Sequence, residues 1–269
     1  MKKFISILLF FTVSFIYSQD WSNVYRQVEE VTLNEGLSDQ YNEFEKFWGV
    51  VKEKQIADGK LLGWFIWKVD PSSNENNPWA EYLIVNVYKD KNQMDEMSSK
   101  SAKWWSSYIK IAHKGKTKRS VIKKYTKESL NNKYRKTSVN YINKGLSSFL
   151  TEGASPQEGI TGRYFGMEQL NEDYVNFEIN YFGPNHIKNG SRVYWELNEI
   201  IDRSENAYKP VTHMIFEIPN PDAPEINQDE ISFTDKMMGK YGVASRKMHG
   251  WMTAKLVHWR WSNNLNENK

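Results

Sequence analysis

Three side chains that could support catalysis fall close together in the second half of the chain: Glu196, His213 and Glu217. Glu196 lies in segment 192–202, which is rich in aromatic and branched residues, and the other two lie in the similar segment 211–218. Both segments have the composition of β-strands. Neighbouring strands would bring the three side chains together, so the sequence predicts a polar cluster with catalytic potential.

Three roles for this cluster are open. An imidazole and two carboxylates can hold a divalent metal ion, although the spacing matches no known metal signature. In the second role His213 is a general base oriented by a carboxylate, because imidazole titrates near neutral pH. The third role is structural, a buried hydrogen-bonded network that fills the centre of the fold.

The elements that would position these residues occur twice along the chain. At one constant spacing, the matched pairs are Tyr41 and Tyr174, Phe44 and Phe177, and Glu45 and Glu178. At a slightly shorter constant spacing, Gly59 matches Gly190, Trp64 matches Trp195, and YLIVNVY (82–88) falls on HMIFEIP (213–219). A shared spacing over this length predicts a tandem duplication.

Each copy is predicted to contain strand, helix, two strands, helix and strand, the split pattern of a ferredoxin-like sheet. In the first copy the elements are predicted at 24–33, 38–57, 61–69, 81–88, 92–111 and 118–126. In the second they are predicted at 160–168, 171–187, 192–202, 211–218, 227–241 and 252–261. The chain is therefore divided into a first repeat (19–130), a linker (131–157) in which KTSVNYINK is a candidate extra strand, and a second repeat (158–269).

A sheet with helices on one face must have its other face covered. Two such sheets placed face to face cover each other and close a barrel. The element order and the Tyr-x-x-Phe-Glu…Gly…Trp pattern resemble the dimeric α/β-barrel superfamily, here fused in tandem. That superfamily includes antibiotic-biosynthesis-type monooxygenases, haem-degrading enzymes, EthD-like proteins and NIPSNAP-like proteins.

The resemblance covers most of the chain and implies an α+β fold of two ferredoxin-like repeats packed sheet to sheet. It implies the fold far more firmly than an activity. Haem bound through a histidine would fit one branch of the superfamily. The sequence itself favours no cofactor, and haem and a divalent metal remain minor alternatives.

Because neighbouring residues of a strand face opposite sides of a sheet, strand parity predicts which side chains enter the barrel. The apolar sets Leu83, Val85, Val87 and Met214, Phe216, Ile218 are assigned to the helices. The predicted barrel-facing residues are Phe65, Trp67, Tyr82 and Asn86 in the first copy, and Tyr194, Glu196, Asn198, His213 and Glu217 in the second. His186, after Gly183-Pro184, is a candidate for the barrel mouth. Such a cavity, aromatic on one wall and polar on the other, suits a small planar ligand.

The segment from Met1 to Ser18 has the positive start, apolar run and small-residue end of a secretory signal peptide. No later segment is long and apolar enough to cross a membrane. The chain contains no cysteine, which excludes disulfides and lipid attachment through a cysteine. The signal-peptide pattern predicts a periplasmic or secreted protein.

The formal net charge of +3 argues against a nucleic-acid partner, which usually requires a strongly basic face. The basic run Lys114–Lys136 is a local exception, either a solvated face or a contact for an anionic surface. The main hypothesis is an exported protein that binds a small aromatic or hydrophobic molecule, as a cofactor-independent monooxygenase-like or isomerase-like enzyme. The alternative is a non-catalytic envelope interaction protein with a filled barrel.

Overall fold

A computed structural model describes residues 17–19, 23–73, 80–225, 227, 229 and 231–262. Its strands are β1 (Tyr17–Gln19), β2 (Tyr25–Leu33), β3 (Gly63–Val69), β4 (Tyr82–Tyr88), β5 (Arg135–Leu150), β6 (Thr161–Gln169), β7 (Arg192–Arg203), β8 (His213–Pro219) and β9 (Arg246–Trp261). Its helices are α1 (Ser38–Ala57), α2 (Lys91–Ser98), α3 (Ala102–Ala112), α4 (Arg119–Leu130), α5 (Tyr174–Phe177), a π-helical segment (Glu178–Phe182), α6 (Gly183–Lys188) and α7 (Phe233–Ala244). Within these residues, none of the helices has the length and apolar character needed to span a membrane.

Eight strands close into an antiparallel barrel in the order β5-β2-β4-β3-β9-β6-β8-β7, with β7 returning to β5. Each copy contributes its strands in the same order, fourth, first, third and second, which is the ferredoxin-like order. The short strand β1 pairs with the end of β5. The predicted fold class is confirmed: two ferredoxin-like sheets cover each other and form a single barrel.

The two junctions between the copies are related by the same register. At one junction Gly63 pairs with Trp261, and at the other Tyr194 pairs with Leu150. Gly63 and Tyr194 are separated by the same spacing as the matched pair Trp64 and Trp195. The second strand of each copy therefore pairs with the fourth strand of the other, and the duplication extends to how the barrel closes.

The fourth strand of the first copy is not where the sequence placed it. Residues 118–126, predicted as a strand, lie in helix α4, whose buried residues Ile122 and Thr126 are one helical turn apart. The strand is β5, inside the segment predicted to be a linker, and it contains the candidate extra strand KTSVNYINK. Arg135 and Arg246 begin β5 and β9, and each contacts the matched glutamate of the first helical segment, Glu45 or Glu178.

The helix predicted at 92–111 is two helices. Ser99 ends α2, and the Ser101 side chain accepts a hydrogen bond from the backbone N–H of Trp104 at the start of α3. A serine at the N-cap satisfies one of the free N–H groups of a new helix, which favours a second start. The extra helices α3 and α4 pack against α1 and have no counterpart in the described part of the second copy.

Two kinds of hydrophobic core result from this arrangement. The interior cluster lies between the two sheets and draws on strands of both copies; it contains Val28, Leu83, Val85, Val87, Trp67, Tyr164, Met214, Phe216, Met252 and Leu256. The helix-side clusters lie between each sheet and its own helices. The first centres on Tyr41, Phe44, Trp64 and Ile66, and the second on Phe149, Tyr174, Trp195 and Leu197.

Candidate ligand-binding cavity

The barrel interior is not filled. A cavity of about 480 Å³ lies within the interior cluster, and its lining is mostly apolar. The aromatic part of the lining consists of Phe65, Trp67, Tyr164, Tyr194, Phe216 and Trp261. The rest includes Val85 and Val87 from β4, Ile218 from β8, and Leu150 at the end of β5. Ala154, Ser155 and Pro156 come from the segment that joins the copies. This volume is in the range of cavities that hold small organic ligands.

One buried ion pair interrupts the apolar lining. The Nη2 of Arg26 on β2 lies 2.7 Å from Oε2 of Glu196 on β7, and both residues are buried. The Tyr194 hydroxyl donates to the same carboxylate oxygen at 2.5 Å, and the Asn198 side-chain N–H donates to the other at 3.1 Å. These four side chains, Arg26, Tyr194, Glu196 and Asn198, form the polar end of the cavity.

Electrostatics fix the charge states of Arg26 and of the two phenols beside it, Tyr194 and Tyr164. Burial alone would lower the pKa of Arg26, but the Glu196 carboxylate and the Tyr194 and Tyr164 hydroxyls hold it above its ordinary value. Burial, reinforced by the Glu196 charge, raises the pKa values of the Tyr194 and Tyr164 phenols well above normal. The cavity therefore presents a guanidinium ion-paired with Glu196, beside neutral phenols.

The symmetry-related end of the barrel has the opposite character. Gly162 on β6 is the counterpart of Arg26 on β2. Arg26 pairs with Val87 on β4, and Gly162 lies opposite Ile218 on β8, which is the counterpart of Val87. The second strands of the two copies are β3 and β7. At their constant spacing, Phe65 and Trp67 on β3 are the counterparts of Glu196 and Asn198 on β7. Duplication followed by divergence has therefore given one aromatic end and one polar end.

Close packing at the aromatic end depends on the missing side chain of Gly162. A Cβ on Gly162 would lie 2.5 Å from the Phe216 ring and 3.0 Å from the Trp67 ring. The two rings meet edge to face with centroids 4.9 Å apart. Glycine is thus required here for the rings to reach the strand backbone.

Several of the residues singled out in the sequence lie at this cavity. Phe65, Trp67, Tyr194 and Glu196 line it, and Asn198 lies behind Glu196 as a hydrogen-bond donor. These five residues come from the second strand of each copy, where bulky Trp64, Ile66, Trp195 and Leu197 occupy the helix side.

The parity assigned to β4 is wrong. Leu83, Val85 and Val87 belong to the interior cluster, whereas Tyr82 and Asn86 face the helices. The Tyr82 ring meets the Tyr41 ring at 5.0 Å. Asn86 accepts a hydrogen bond from Nζ of Lys52 on α1 at 2.8 Å. Both faces of this strand are buried, so the apolar set did not identify the helix side.

The same inversion on β8 separates the predicted catalytic cluster. Met214, Phe216 and Ile218 face the interior, while His213 and Glu217 face the helix side and are absent from the cavity lining. His213 packs edge to face on the Tyr174 ring at 5.1 Å, and Thr212 Oγ1 lies 2.9 Å from its Nδ1. Glu217 Oε2 is 2.7 Å from Nε of Arg192. Glu196 lies on the opposite face of the sheet from both of them.

His186, the candidate for the barrel mouth, is on α6 and outside the cavity lining. Its Nδ1 is 3.4 Å from the Ser191 hydroxyl. Burial, with Arg192 and Arg246 nearby, lowers the pKa of His186 to about 4, and burial alone lowers the pKa of His213 to about 4. Both imidazoles are therefore neutral at physiological pH and are held in helix-side packing.

The described residues do not fit either cofactor alternative at this cavity. Its lining contains no histidine, the residue through which the resemblance would place a haem. Among those residues, no three or more His, Cys, Asp or Glu side chains are grouped to hold a metal ion. Splitting Glu196 from His213 and Glu217 removes the metal set considered in the sequence.

Arg26 is a cavity-lining residue that the sequence analysis did not single out, although a signal was present. Along the start of β2 buried and half-buried residues alternate, and Arg26, Val28 and Glu30 share one buried face, preceded by the buried Val24. A charged residue in an apolar stripe is rarely buried unless it is paired. Its partner could not be found from the sequence, because Glu196 lies far along the chain in the other copy.

Solved structures with the same fold support this description of the chain. A protein from Fusobacterium nucleatum named a "putative monooxygenase" superposes with a TM-score of 0.54 at 11% identity, over 90% of this chain and 95% of that chain. A "putative monooxygenase" from Lactobacillus acidophilus gives 0.52 at 10% identity, over 89% and 96%. An anthrone oxidase-like protein gives 0.50 at 9% identity, over 92% and 97%.

No protein-family model matches this sequence, and no curated protein does. Identities near 10% establish the fold and leave the activity to be argued from the cavity itself. With its closed eight-stranded barrel of two ferredoxin-like repeats, the chain has the dimeric α/β-barrel fold, with both halves in one polypeptide.

Proposed function

We propose that this protein binds a small, partly aromatic molecule in the cavity between its two sheets. The observation that carries the proposal is the cavity of about 480 Å³, apolar and aromatic except for the Arg26–Glu196 ion pair. A barrel used only as a structural core would be packed to the density of other protein interiors. The open interior therefore favours ligand binding over the alternative of a filled, non-catalytic interaction protein.

The aromatic end suits a planar ring system. Phe216 is surrounded by Trp67, Tyr164 and Tyr194, with ring centroids 4.9, 5.4 and 6.0 Å from its own. Rings arranged in this way offer both faces and edges to a further aromatic ring, which gains contact area and ring-to-ring attraction. A flat, two- or three-ring molecule is the shape that such walls accommodate.

The polar end suits a neutral ligand that carries a hydrogen-bonding oxygen or nitrogen. Arg26 and Glu196 already neutralise each other, so a charged ligand would leave one charge unpaired in a buried site, which is unfavourable. A carbonyl oxygen could accept from the guanidinium, and a hydroxyl could donate to the carboxylate. The ligand class is therefore a neutral aromatic ketone, phenol or anthrone.

The reaction we propose is oxidation by molecular oxygen without a cofactor. The ligand's activated CH₂ loses a proton to Glu196, and the resulting carbanion passes electrons to O₂. One oxygen atom stays on the ligand as a carbonyl and the other leaves as water with the two hydrogens. If the same carbanion is instead reprotonated at another carbon, the outcome is isomerisation, which needs no oxygen.

Anthrone is the test compound for this proposal. Calorimetric titration should show binding to the protein, and an oxygen electrode should show uptake of one O₂ per anthraquinone formed. Glu196→Gln should keep binding but lose oxygen uptake, while the exposed control Glu172→Gln should keep both. Absence of anthrone binding would contradict the proposed ligand class, and binding without oxygen uptake would remove the oxidation.

Export is a further proposal that rests on the segment from Met1 to Ser18, of which residues 1–16 lie outside the described part of the chain. Cleavage after Ser18 would separate β1, which pairs Tyr17–Gln19 with Leu150–Ser148, from its first two residues. Expression in a bacterium followed by N-terminal sequencing of periplasmic protein should give Gln19 as the first residue. An uncleaved chain in the cytoplasm would contradict export.

The basic run Lys114–Lys136 is proposed as a contact for an anionic surface. It contains helix α4, on which Lys123, Lys124 and Lys127 are exposed. Binding to phosphatidylglycerol vesicles at low salt, lost when these three lysines are changed to glutamine, supports that role. Equal binding by the variant would identify the run as an ordinary solvated face.

A further inference from the structure

A glutamate, a histidine and a tyrosine form a chain of contacts on the outside of the second copy, away from the cavity. The Nε2 of His249 on β9 lies 2.6 Å from Oε2 of Glu168 on β6. On the other side of the ring, Nδ1 lies 3.2 Å from the hydroxyl of Tyr208, in the loop between β7 and β8. None of the three residues lines the cavity, and the proposed oxidation uses none of them.

The contacts fix the hydrogen-bonding direction along the chain. An ionised carboxylate can only accept, so the bond to Glu168 requires a proton on Nε2 of His249. In the neutral ring Nδ1 is then an acceptor, and the Tyr208 hydroxyl donates to it. A carboxylate partner also fixes the orientation of the ring, as it does for histidines oriented by acids in other sites.

Exposure distinguishes the members of this chain. The His249 side chain is 9% exposed and Glu168 is 31% exposed, whereas Tyr208 is 56% exposed. The base is therefore sheltered while the hydroxyl beside it is open to solvent. The Tyr208 backbone is also held in place, because Nη1 of Arg203 donates to the carbonyl oxygens of Tyr208 and Lys209 at 3.0 and 2.9 Å.

A nucleophile within hydrogen-bond reach of a base, with the base oriented by a third group, is the general arrangement of an activated nucleophile. We propose that Tyr208 is such a nucleophile and accepts acyl-type groups from activated esters or sulfonyl donors. The phenol oxygen forms the new bond, the leaving group departs with its electron pair, and the phenol proton moves to Nδ1 of His249. Glu168 is a positioning residue that keeps the imidazole in the required tautomer.

The chain supplies its own matched control. Tyr241 on α7, in the same copy, is 57% exposed, almost the same as Tyr208. Among the described residues, no histidine contacts Tyr241, whereas His249 contacts Tyr208. An exposed tyrosine without a base should react at the ordinary rate of a free phenol. Any difference between the two tyrosines then reports activation and not accessibility.

The experiment is labelling of the purified protein with an arylsulfonyl fluoride, followed by peptide mapping to obtain a rate for each tyrosine. Labelling forms the tyrosine O–S bond and releases fluoride. We expect Tyr208 to react about a hundredfold faster than Tyr241, the low end of what a positioned general base contributes. His249→Gln should bring Tyr208 to the Tyr241 rate.

The role of Glu168 needs a readout that a packing change would not give. We expect ¹⁵N NMR of the His249 ring to show the Nε2–H tautomer in the wild type and a mixture of tautomers in Glu168→Gln, with slower Tyr208 labelling. Circular dichroism checks that each variant is folded. Equal labelling of Tyr208 and Tyr241 in the wild type, or a Tyr208 rate unaffected by His249→Gln, would overturn the proposal.

Discussion

Arg26 and Glu196 connect the two copies across the barrel interior, with 2.7 Å between Nη2 of the first and Oε2 of the second. Arg26 comes from the first strand of the first copy and Glu196 from the second strand of the second copy. The symmetry-related position has no equivalent pair, because Gly162 and Phe65 stand in their place there. In a homodimeric barrel both halves carry the same residues, so an ion pair at one position would also be present at the symmetry-related position.

The first prediction concerns the ion pair. Arg26→Met or Glu196→Met alone should lower the free energy of unfolding by about 3–5 kcal/mol, because each leaves an uncompensated buried charge. The double variant should be far less destabilised than the sum, since no charge remains. Urea unfolding of the four proteins gives the coupling energy, and additive losses would contradict a direct pair.

The second prediction concerns Gly162. Its replacement by alanine puts a Cβ 2.5 Å from the Phe216 ring, and we expect a loss of about 1–3 kcal/mol as in other overpacked cores. Gly239→Ala is the control, because nothing lies within 4 Å of a Cβ there and helix α7 should gain about 0.5–1 kcal/mol. Thermal unfolding compares them. A Gly162→Ala protein that melts at the wild-type temperature would show that the Phe216 ring moves aside without loss of stability.

The third prediction separates structure from binding at His213, which is 3% exposed and packs on Tyr174 outside the cavity. We expect His213→Ala to lower the free energy of unfolding by about 2–4 kcal/mol, as for other large-to-small core changes. Affinity for a cavity ligand should change less than twofold. A large loss of affinity in a protein that remains folded would place His213 at the binding site.

The fourth prediction concerns the matched glutamates Glu45 and Glu178. Burial raises the pKa of each to about 7, from an ordinary value of 4.5, against the opposing effect of Arg135 or Arg246. The folded state then binds more protons than the unfolded state between these values. The stability that each protonated carboxyl contributes is present below pH 4.5 and is lost as the pH rises to about 7.

His213 and His186 have the opposite effect in nearly the same pH range, because burial lowers their pKa values to about 4. The measurement is therefore the difference in unfolding free energy between the wild type and Glu178→Gln. We expect the wild type to lose on the order of 3 kcal/mol relative to the variant between pH 4.5 and 7. Parallel curves for the wild type and Glu178→Gln would contradict this.

How much could be predicted from the sequence depends on how many faces of an element are buried. Helix α1 has one buried face, and its apolar residues at helical spacing gave its bounds correctly. Strand β4 is buried on both faces, one against helices and one against the barrel interior. Alternation carries no information in that case, so Val85 and Val87 were assigned to the wrong side, and His213 and Glu217 with them.

Long-range partners were also beyond the sequence. The sequence predicts only a candidate extra strand, KTSVNYINK, where β5 lies, and it assigns the fourth strand of the first copy to 118–126. Yet β5 and β9 both begin with an arginine that contacts the helix glutamate. Matching Arg135 with Arg246 identifies β5 as the counterpart of β9. Arg26 and Glu196 have no matching ion pair at the equivalent positions of the other copy, and only the closed barrel brings them together.

The interior cavity of about 480 Å³ is the space in which a small neutral aromatic molecule would bind. Val87 lines the cavity, whereas Val28 belongs to the same interior cluster and lies outside the lining. Val87→Phe should therefore fill open space without loss of stability, and Val28→Phe should cost about 1–3 kcal/mol by overpacking.

The most direct measurement is a fluorescence titration with N-phenyl-1-naphthylamine, a neutral aromatic probe that brightens in apolar surroundings. The account predicts saturable, one-to-one binding to the wild type and to any Val28→Phe protein that remains folded, and loss of binding in Val87→Phe at an unchanged melting temperature. Undiminished binding to a folded Val87→Phe protein, or no binding to the wild type, would contradict a ligand cavity between the two sheets.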